Sequence, residues 1–402
     1  MLPERPKLRP GLTITADPLR PGAVILVDAF GFNPSPCRLT RLECSYLTYL
    51  DGTLSLTEIG NMDREKRYGK LSPDGLSSLV NRLDNGLFLD GPQFRQRADH
   101  PVRDPRCIGC YSGHPKTLRK QLQELFTAPE GSGMPNGKRP DGKLRAALIP
   151  HIDYPRGGHS YTWGFKEVVE RSAASLFVII GTSHYSAHRF TLTRKDFKTP
   201  LGILSTDREY IDRLVHHYGD GLFEDEWMAH FPEHSIELEV VFLQFLYENR
   251  RPIRIVPLVV GSFHDCIHEK EVPSDKKDIS RMVQALRKAE QETREPICYI
   301  ISGDLAHIGP KFGDSDPVNE SVIAFSRGRD MSILEKAEKA DAAGMFRIIA
   351  GENDDRRICG LPPTFTTLEV ARPNSGRVLH YDQYIHPRGH ESVSFASVAY
   401  YE

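Results

Sequence analysis

The chain lacks what would mark it for a membrane, for export or for a nucleic-acid surface. No apolar run in its 402 residues approaches the ~18 residues of a membrane-spanning helix. Neither sign of charge prevails. The 52 Lys and Arg against 54 Asp and Glu leave a net charge of −2, so no concentrated positive field of the kind that coats DNA or RNA is expected. Cysteine is scarce and odd in number, seven over a long chain, which is not a disulfide framework. The opening MLPERPKLRPGL is charged and proline-rich and has no apolar stretch like a secretory signal's. These absences point to a protein of a reducing cytoplasm, with no membrane and no nucleic acid among its partners. The length suits two or three domains of about 150 residues. The charged share of 26% and hydrophobic share of 39% are those of an ordinary globular chain.

Residues 1–22 read as an extension and 23–99 as a first module. AVILVDAFGF has a strand pattern, and RLTRLECSYLTYLDG spaces Leu42, Leu47 and Leu50 roughly as a helix would before Asp51-Gly52 stops it. LSLTEI predicts a short helix. Ser72 is placed to cap a third, SPDGLSSLVNRLDNG, whose apolar face is Leu76, Leu79, Val80 and Leu83. Asn85-Gly86 ends it, and LFLDG reads as a strand. The pattern predicts a winged-helix-like module. Arg82 stands against Asp74 and Asp84, a poor face for phosphates, which argues against duplex DNA. The order of helix, "LDG", short helix, longer helix and "GL" strand resembles the PqqD-like family. That resemblance implies docking of a peptide or protein partner, with a structural appendage as the alternative.

YSGHPKTLRKQLQELF (111–126) predicts an amphipathic helix. The glycine-, proline- and charge-rich stretch 128–143 reads as a mobile surface loop. From 144 onward, short apolar runs (LRAALIP, SLFVIIGTSH, IRIVPLVVGSF, ICYIISGDLAH) alternate with helical patterns near 160–171, 206–218, 234–249, 275–293 and 317–343. Strands apolar throughout are strands buried on both faces. The predicted fold is α/β: a central mixed, mostly parallel sheet with helices on both faces, plus the small N-terminal module.

The strand ends carry the chemistry. The first run leads to His151 and Asp153, the second to His184, and the fourth to Asp304 and His307. His234 stands at a predicted helix start in FPEHSIELEVV. Ligand crevices of open α/β sheets lie beyond the carboxyl ends of the strands. Imidazoles and a carboxylate converging there are a ligand set for Zn²⁺ or non-haem Fe²⁺.

The motifs PHIDYPRGGHSY, GTSHYS, DFKTPLG, EHSIE, PLVVG, SGDLAH, ICG and the closing LHYDQ with SVSFASVAY resemble, in order over 107–402, the Memo family. Its bacterial and archaeal members are called AmmeMemoRadiSam system protein B. The resemblance implies a fold similar to that of the class III extradiol dioxygenases and a divalent metal, Fe(II) before Zn or Cu. It implies His151 and His184 as metal ligands and His234 as acid/base, with Glu233 and His307 as further catalytic candidates. The position held by Cys in eukaryotic Memo and by Glu in the dioxygenases falls on Ala306, which cannot ligate. Asp304, His307, Asp153 or water is left to complete the shell. Asp153 stands where the eukaryotic form has Gly. The implied activity is that of an iron-dependent oxygenase on a small-molecule or peptide substrate, acting with radical-SAM and AMMECR-type partner proteins. A non-catalytic partner or redox protein and a zinc hydrolase on the same ligands are the alternatives.

Other residues have blander readings. Cys107-Ile-Gly-Cys110 has redox spacing, and a zinc site there would need two more ligands where only His114 is near. Gly109 and Tyr111 match the family's entry motif. Ser183 and Ser235 adjoin histidines without a nucleophile elbow. Arg156-Gly157-Gly158 suggests a tight turn. His264, Asp265 and His268 read as a surface loop near the crevice rim. Cys359, in ICG, reads equally as packing or as a thiol beside the pocket.

Overall fold

The structure is a computed structural model that describes residues 3–62, 69–137 and 143–402. The chain divides into two compact units, Met1–His100 and Pro101–Glu402.

In the first unit β1 (Leu12–Ala16), β2 (Val24–Asp28) and β3 (Cys37–Leu39) form an antiparallel sheet in that order. Helices α1 (Arg41–Cys44), α2 (Leu56–Asn61), α3 (Pro73–Asn85) and α4 (Pro92–Ala98) follow. Thr40 and Ser55 each open a capping box. Ser72 Oγ accepts from the Gly75 N–H at 3.0 Å and starts α3, whose Leu76, Leu79, Val80 and Leu83 are buried. Two expectations are corrected. The stretch read as an extension supplies β1, and its Arg9 pairs in the interior with Asp28. Its side chains stay largely at the surface, so β1 is held by its pairing with β2 rather than by burial. LFLDG forms no strand; Leu89 makes only an isolated bridge with Leu8.

The second unit opens with β4 (Val102–Arg103) and α5 (Pro115–Thr127), then β5 (Leu144–Ile149), α6 (Tyr154–Arg171) and β6 (Leu176–Thr182). Three short strands follow, β7 (Phe190–Leu192), β8 (Asp196–Thr199) and β9 (Gly202–Leu204), then α7 (Arg208–Tyr218), α8 (Glu226–His230) and α9 (Glu237–Tyr247). Next come β10 (Arg254–Val260), α10 (His264–Glu269), α11 (Lys277–Gln291), β11 (Ile297–Ser302) and β12 (His307–Ile308). The chain closes with α12 (Glu320–Glu338), α13 (Ala342–Gly351), α14 (Leu361–Ala371), β13 (Ser375–Ile385) and β14 (Ser392–Tyr401).

The main sheet has eight strands. Its centre, β5-β11-β6-β10, is parallel; β7 and β14 flank it antiparallel, and β12 and β13 pair with β14. Alternate strand residues enter two apolar layers. Ala147, Ile149, Phe177 and Ile179 pack with Phe126, Phe165 and Phe242 of α5, α6 and α9. Ala146, Leu148, Val178 and Ile180 pack with Leu214, Leu286, Ile349 and Leu368 of α7, α11, α13 and α14. Gly157 and Gly158 lie inside α6 rather than in a turn. A Cβ at Gly157 would come within 2.3 Å of Ile152, and one at Gly158 within 2.7 Å of Leu125, so the glycines permit close packing.

The stretch read as a mobile loop, 128–143, is described to 137 and again at 143; residues 138–142 lie outside the described set. Its first part is tied to α6. The Ser132 N–H donates to Thr162 Oγ1 at 3.1 Å, Lys166 Nζ to the Ser132 carbonyl at 2.7 Å, and Trp163 Nε1 to the Glu130 carbonyl at 3.0 Å. Among the described residues no helix is long and apolar enough to cross a membrane.

Candidate metal centre

The four parallel strands end at one edge, and His151 and His184 follow two of them by two residues. His234 arrives from the turn before α9. The candidate ligand atoms of these three imidazoles all lie within 4.8 Å of one another. Ring centroids are 5.2 Å (His151–His184), 4.9 Å (His151–His234) and 4.7 Å (His184–His234) apart.

A single buried carboxylate organises two of the rings. Glu233 accepts the backbone N–H groups of His184 (2.8 Å), His234 (2.9 Å) and Ser235 (3.0 Å). The same carboxylate meets His184 Nδ1 at 3.0 Å and His234 Nδ1 at 3.2 Å. Both rings turn Nδ1 to Glu233, which leaves each Nε2 facing the cluster. A carboxylate behind a histidine is the outer partner that metal-ligating imidazoles have. Electrostatics couple the carboxylate to both rings. Burial disfavours the charge of Glu233, but the His184 and His234 imidazoles outweigh it and hold the carboxyl well below its usual range. Burial works against charge on His184 too, yet Glu233 and Cys359 hold that imidazole well above its usual range. His151 is pushed well below its own by burial and by the two neighbouring histidines. It is neutral, with a lone pair to offer.

The other predicted residues sort by their partners. Asp304 is buried, and its Oδ1 accepts the His151 N–H at 2.9 Å while Oδ2 stands 3.9 Å from His151 Nε2. Burial pushes its carboxyl up to about 7, against the pull of the His151 and Ile152 N–H groups. Its first role is to hold the strand end that carries His151. Asp153 stands at the start of α6 without capping it through its side chain, and its carboxylate receives Arg156 Nε at 2.7 Å. His307 lies across the cavity, with Nδ1 3.1 Å and 3.0 Å from the carbonyl oxygens of Leu305 and Arg357. Burial lowers it to about 4, so the imidazole is neutral at pH 7. All of these line one cavity of about 440 Å³, together with Cys107, Cys110, Arg156, Tyr185 and Lys311.

The Memo-like protein family matches residues 103–399. The chain belongs to that family. Similar Memo-family proteins are a "MEMO1 family protein" of Aquifex aeolicus, 25% identical over 88% of this chain and 90% of its own, and one of Methanopyrus kandleri, 28% identical over 69% and 91%. A third, from Thermococcus onnurineus, is 27% identical over 70% and 92%. The Aquifex match is longer than the second unit alone, so it reaches into the first. A solved structure of an uncharacterized protein from Escherichia coli K12 overlays at a TM-score of 0.36 and 14% identity, covering 64% of this chain and 100% of that one.

Within this Memo fold, the gap expected at Ala306 has a different shape. Ala306 is buried in the apolar layer, with its N–H on Ser394 Oγ at 2.9 Å. The sulfur beside the imidazoles is that of Cys359, whose Sγ lies 3.3 Å from His151 Nε2. It gets there through glycines: a Cβ at Gly303 would sit 2.5 Å from the Gly360 Cα, and the Gly360 N–H donates to the Asp304 carbonyl at 2.9 Å. The signal was in the sequence, a glycine beside a cysteine in ICG. What was missing was the tertiary contact between segments more than fifty residues apart. Ser235 Oγ donates to the Thr182 carbonyl at 2.8 Å, a structural bond. His264 and Asp265 fall on α10. Asp265 pairs with Arg189, and His264 lines a separate cavity of about 200 Å³ with Cys359 in its wall.

Proposed function

We propose that this Memo-family protein holds one divalent ion on His151, His184 and His234, with Cys359 as the adjoining soft donor. We propose also that it acts as an oxygenase-type enzyme on a small-molecule or peptide substrate admitted to the adjoining cavity. The observation that carries the reading is Glu233: one buried carboxylate fixes the Nδ1–H of two imidazoles whose free nitrogens converge with that of a third. An imidazole-rich set takes Fe²⁺, Zn²⁺ or Cu, and Fe(II) is preferred on the resemblance to the extradiol dioxygenases. When bound, the ion would supply O₂ activation. The protein's own groups do the rest. Glu233 orients two of the ligand imidazoles through their Nδ1 atoms, Asp304 holds the His151 strand end, and His307 is the neutral imidazole offered to a substrate in the cavity as proton acceptor. Radical-SAM and AMMECR-type proteins are the proposed partners, supported by the family resemblance and by the appended N-terminal unit.

The test is metal content by mass spectrometry after anaerobic purification, for wild type and His184→Ala. One equivalent of iron in the wild type and little in the variant is expected. Equal occupancy in both would overturn the assignment. Zinc in place of iron, with no O₂ uptake after iron reconstitution, would favour the hydrolase reading.

A further inference from the structure

We propose that Cys107 and Cys110 form a redox-active dithiol that opens onto the same cavity as the imidazoles and exchanges with small-molecule disulfides. The two cysteines bracket a turn in which the Cys110 N–H donates to the Cys107 carbonyl at 2.9 Å. A four-residue turn closed this way keeps its end Cα atoms within about 7 Å, the range a disulfide spans. Gly109 makes the turn possible at φ +113, a conformation a side chain would oppose. Both cysteines line the imidazole cavity, and neither is in a disulfide. Cys107 is buried and Cys110 half-buried, so the pair has an outer and an inner sulfur.

The segment is also held in place. Glu237, buried at the start of α9, accepts the Cys107 N–H at 2.9 Å and the Arg106 N–H at 2.9 Å, and it takes the Tyr111 hydroxyl and the Arg103 guanidinium as well. Glu233 lies four residues before Glu237, in the segment that turns into α9. One stretch of chain thus orients the imidazoles and pins the dithiol against the same space. Neither cysteine belongs to the candidate metal cluster, so the proposal stands independently of the bound ion.

The exchange balances as follows. The Cys110 thiolate attacks one sulfur of a disulfide RSSR, the S–S bond breaks, and RS⁻ leaves and takes a proton. A mixed disulfide, Cys110–S–S–R, is formed. The Cys107 thiol releases its proton to water and attacks Cys110 Sγ, expelling the second RS⁻. Two electrons and two protons pass from the dithiol to RSSR, giving two RSH and a Cys107–Cys110 disulfide. Burial holds both thiols above their ordinary range, so the thiolate fraction is small and the reaction slow near neutrality.

The experiment incubates the full chain with glutathione disulfide, alkylates the remaining thiols and maps the digest by mass spectrometry. A Cys107–Cys110 cross-link that dithiothreitol reverses is expected in the wild type. Cys107→Ser should stop at a glutathione adduct on Cys110. Cys110→Ser should form no cross-link and should modify Cys107 about tenfold more slowly, because that sulfur is buried. Both variants should keep wild-type metal content, which separates this outcome from failure of the metal centre. Full alkylation of both cysteines in the treated wild type would overturn the proposal. So would a cross-link to Cys359, or a Cys107→Ser chain that keeps its metal and gains no adduct.

Discussion

Helices α9 and α11 pack on opposite faces of the same sheet and are built on opposite rules. α11 buries Ile279, Met282, Val283, Ala285, Leu286 and Ala289 along one stripe and gives the rest to solvent, the amphipathic pattern of a helix held by apolar contact. α9 is buried on nearly every side, and Glu237 and Glu239 are among its buried residues. Its carboxyls are not alike. Against its burial, Glu237 is held below its ordinary range by Arg103, Tyr111 and two backbone N–H groups, while burial pushes Glu239 well above its own. An apolar stripe can slide by a turn and still be buried. A carboxylate satisfied by four named donors cannot. The helix that delivers the site is the one whose position is fixed by polar groups that would be costly to misplace.

That contrast can be broken from either side, and the α9 side should yield most. Arg103→Leu leaves Glu237 buried without its cation. About 4 kcal/mol of stability should be lost in denaturant unfolding, since removing one partner of a buried pair strands the other charge. The acid limb carries the same signature. The folded Glu237 carboxyl lies below its ordinary range, mainly through Arg103 working against burial. Its contribution is therefore complete above the unfolded carboxyl value of about 4.3 and is lost as the pH falls toward the folded one. Glu237→Gln should flatten the stability curve there. An unchanged acid limb would mean that the pair is not what fixes α9. On the other face, Leu286→Ala should cost about 3 kcal/mol through a cavity and leave metal content at the wild-type level. Loss of metal from that variant would erase the distinction between the two helices.

The same contrast explains what the sequence made legible. The stripe of α11, the apolar runs of β5, β6, β10 and β11, and the capping Ser72 are local signals, and the strand ends pointed to the edge where His151, His184 and His234 meet. Pairing and partners were not legible. The place of β1 in the first sheet depends on a neighbour rather than on its own five residues. Arg156-Gly157-Gly158 reads as a turn until Ile152 and Leu125 are seen against it. Cys359 joins the imidazoles only through the contact of Gly303 with Gly360, and aligning on Asp304 and His307 alone left the sulfur position at Ala306.

Smaller effects sharpen the account of the site. Glu233→Gln keeps the shape but removes the charge that holds two Nδ1–H groups, and metal affinity by titration should fall about 10–100-fold. A variant that bound as tightly as wild type would show that the imidazoles are oriented by packing alone.

The smallest change is expected for Asp153→Asn, and the reason lies in where its carboxylate points. It shares the cavity with His151, and on sequence grounds it was a candidate to fill the vacancy at Ala306. In the structure its Oδ1 receives Arg156 Nε, and the same guanidinium reaches Glu391 at 3.3 Å. An amide at 153 keeps an oxygen for Arg156, so the ion pair weakens while the start of α6 stays in place. Half-exposed pairs of this kind contribute about 0–1 kcal/mol. Metal affinity should therefore fall by less than the ~10-fold typical of an outer partner. A loss as large as that of His184→Ala would put Asp153 among the ligands and move Cys359 out of that role.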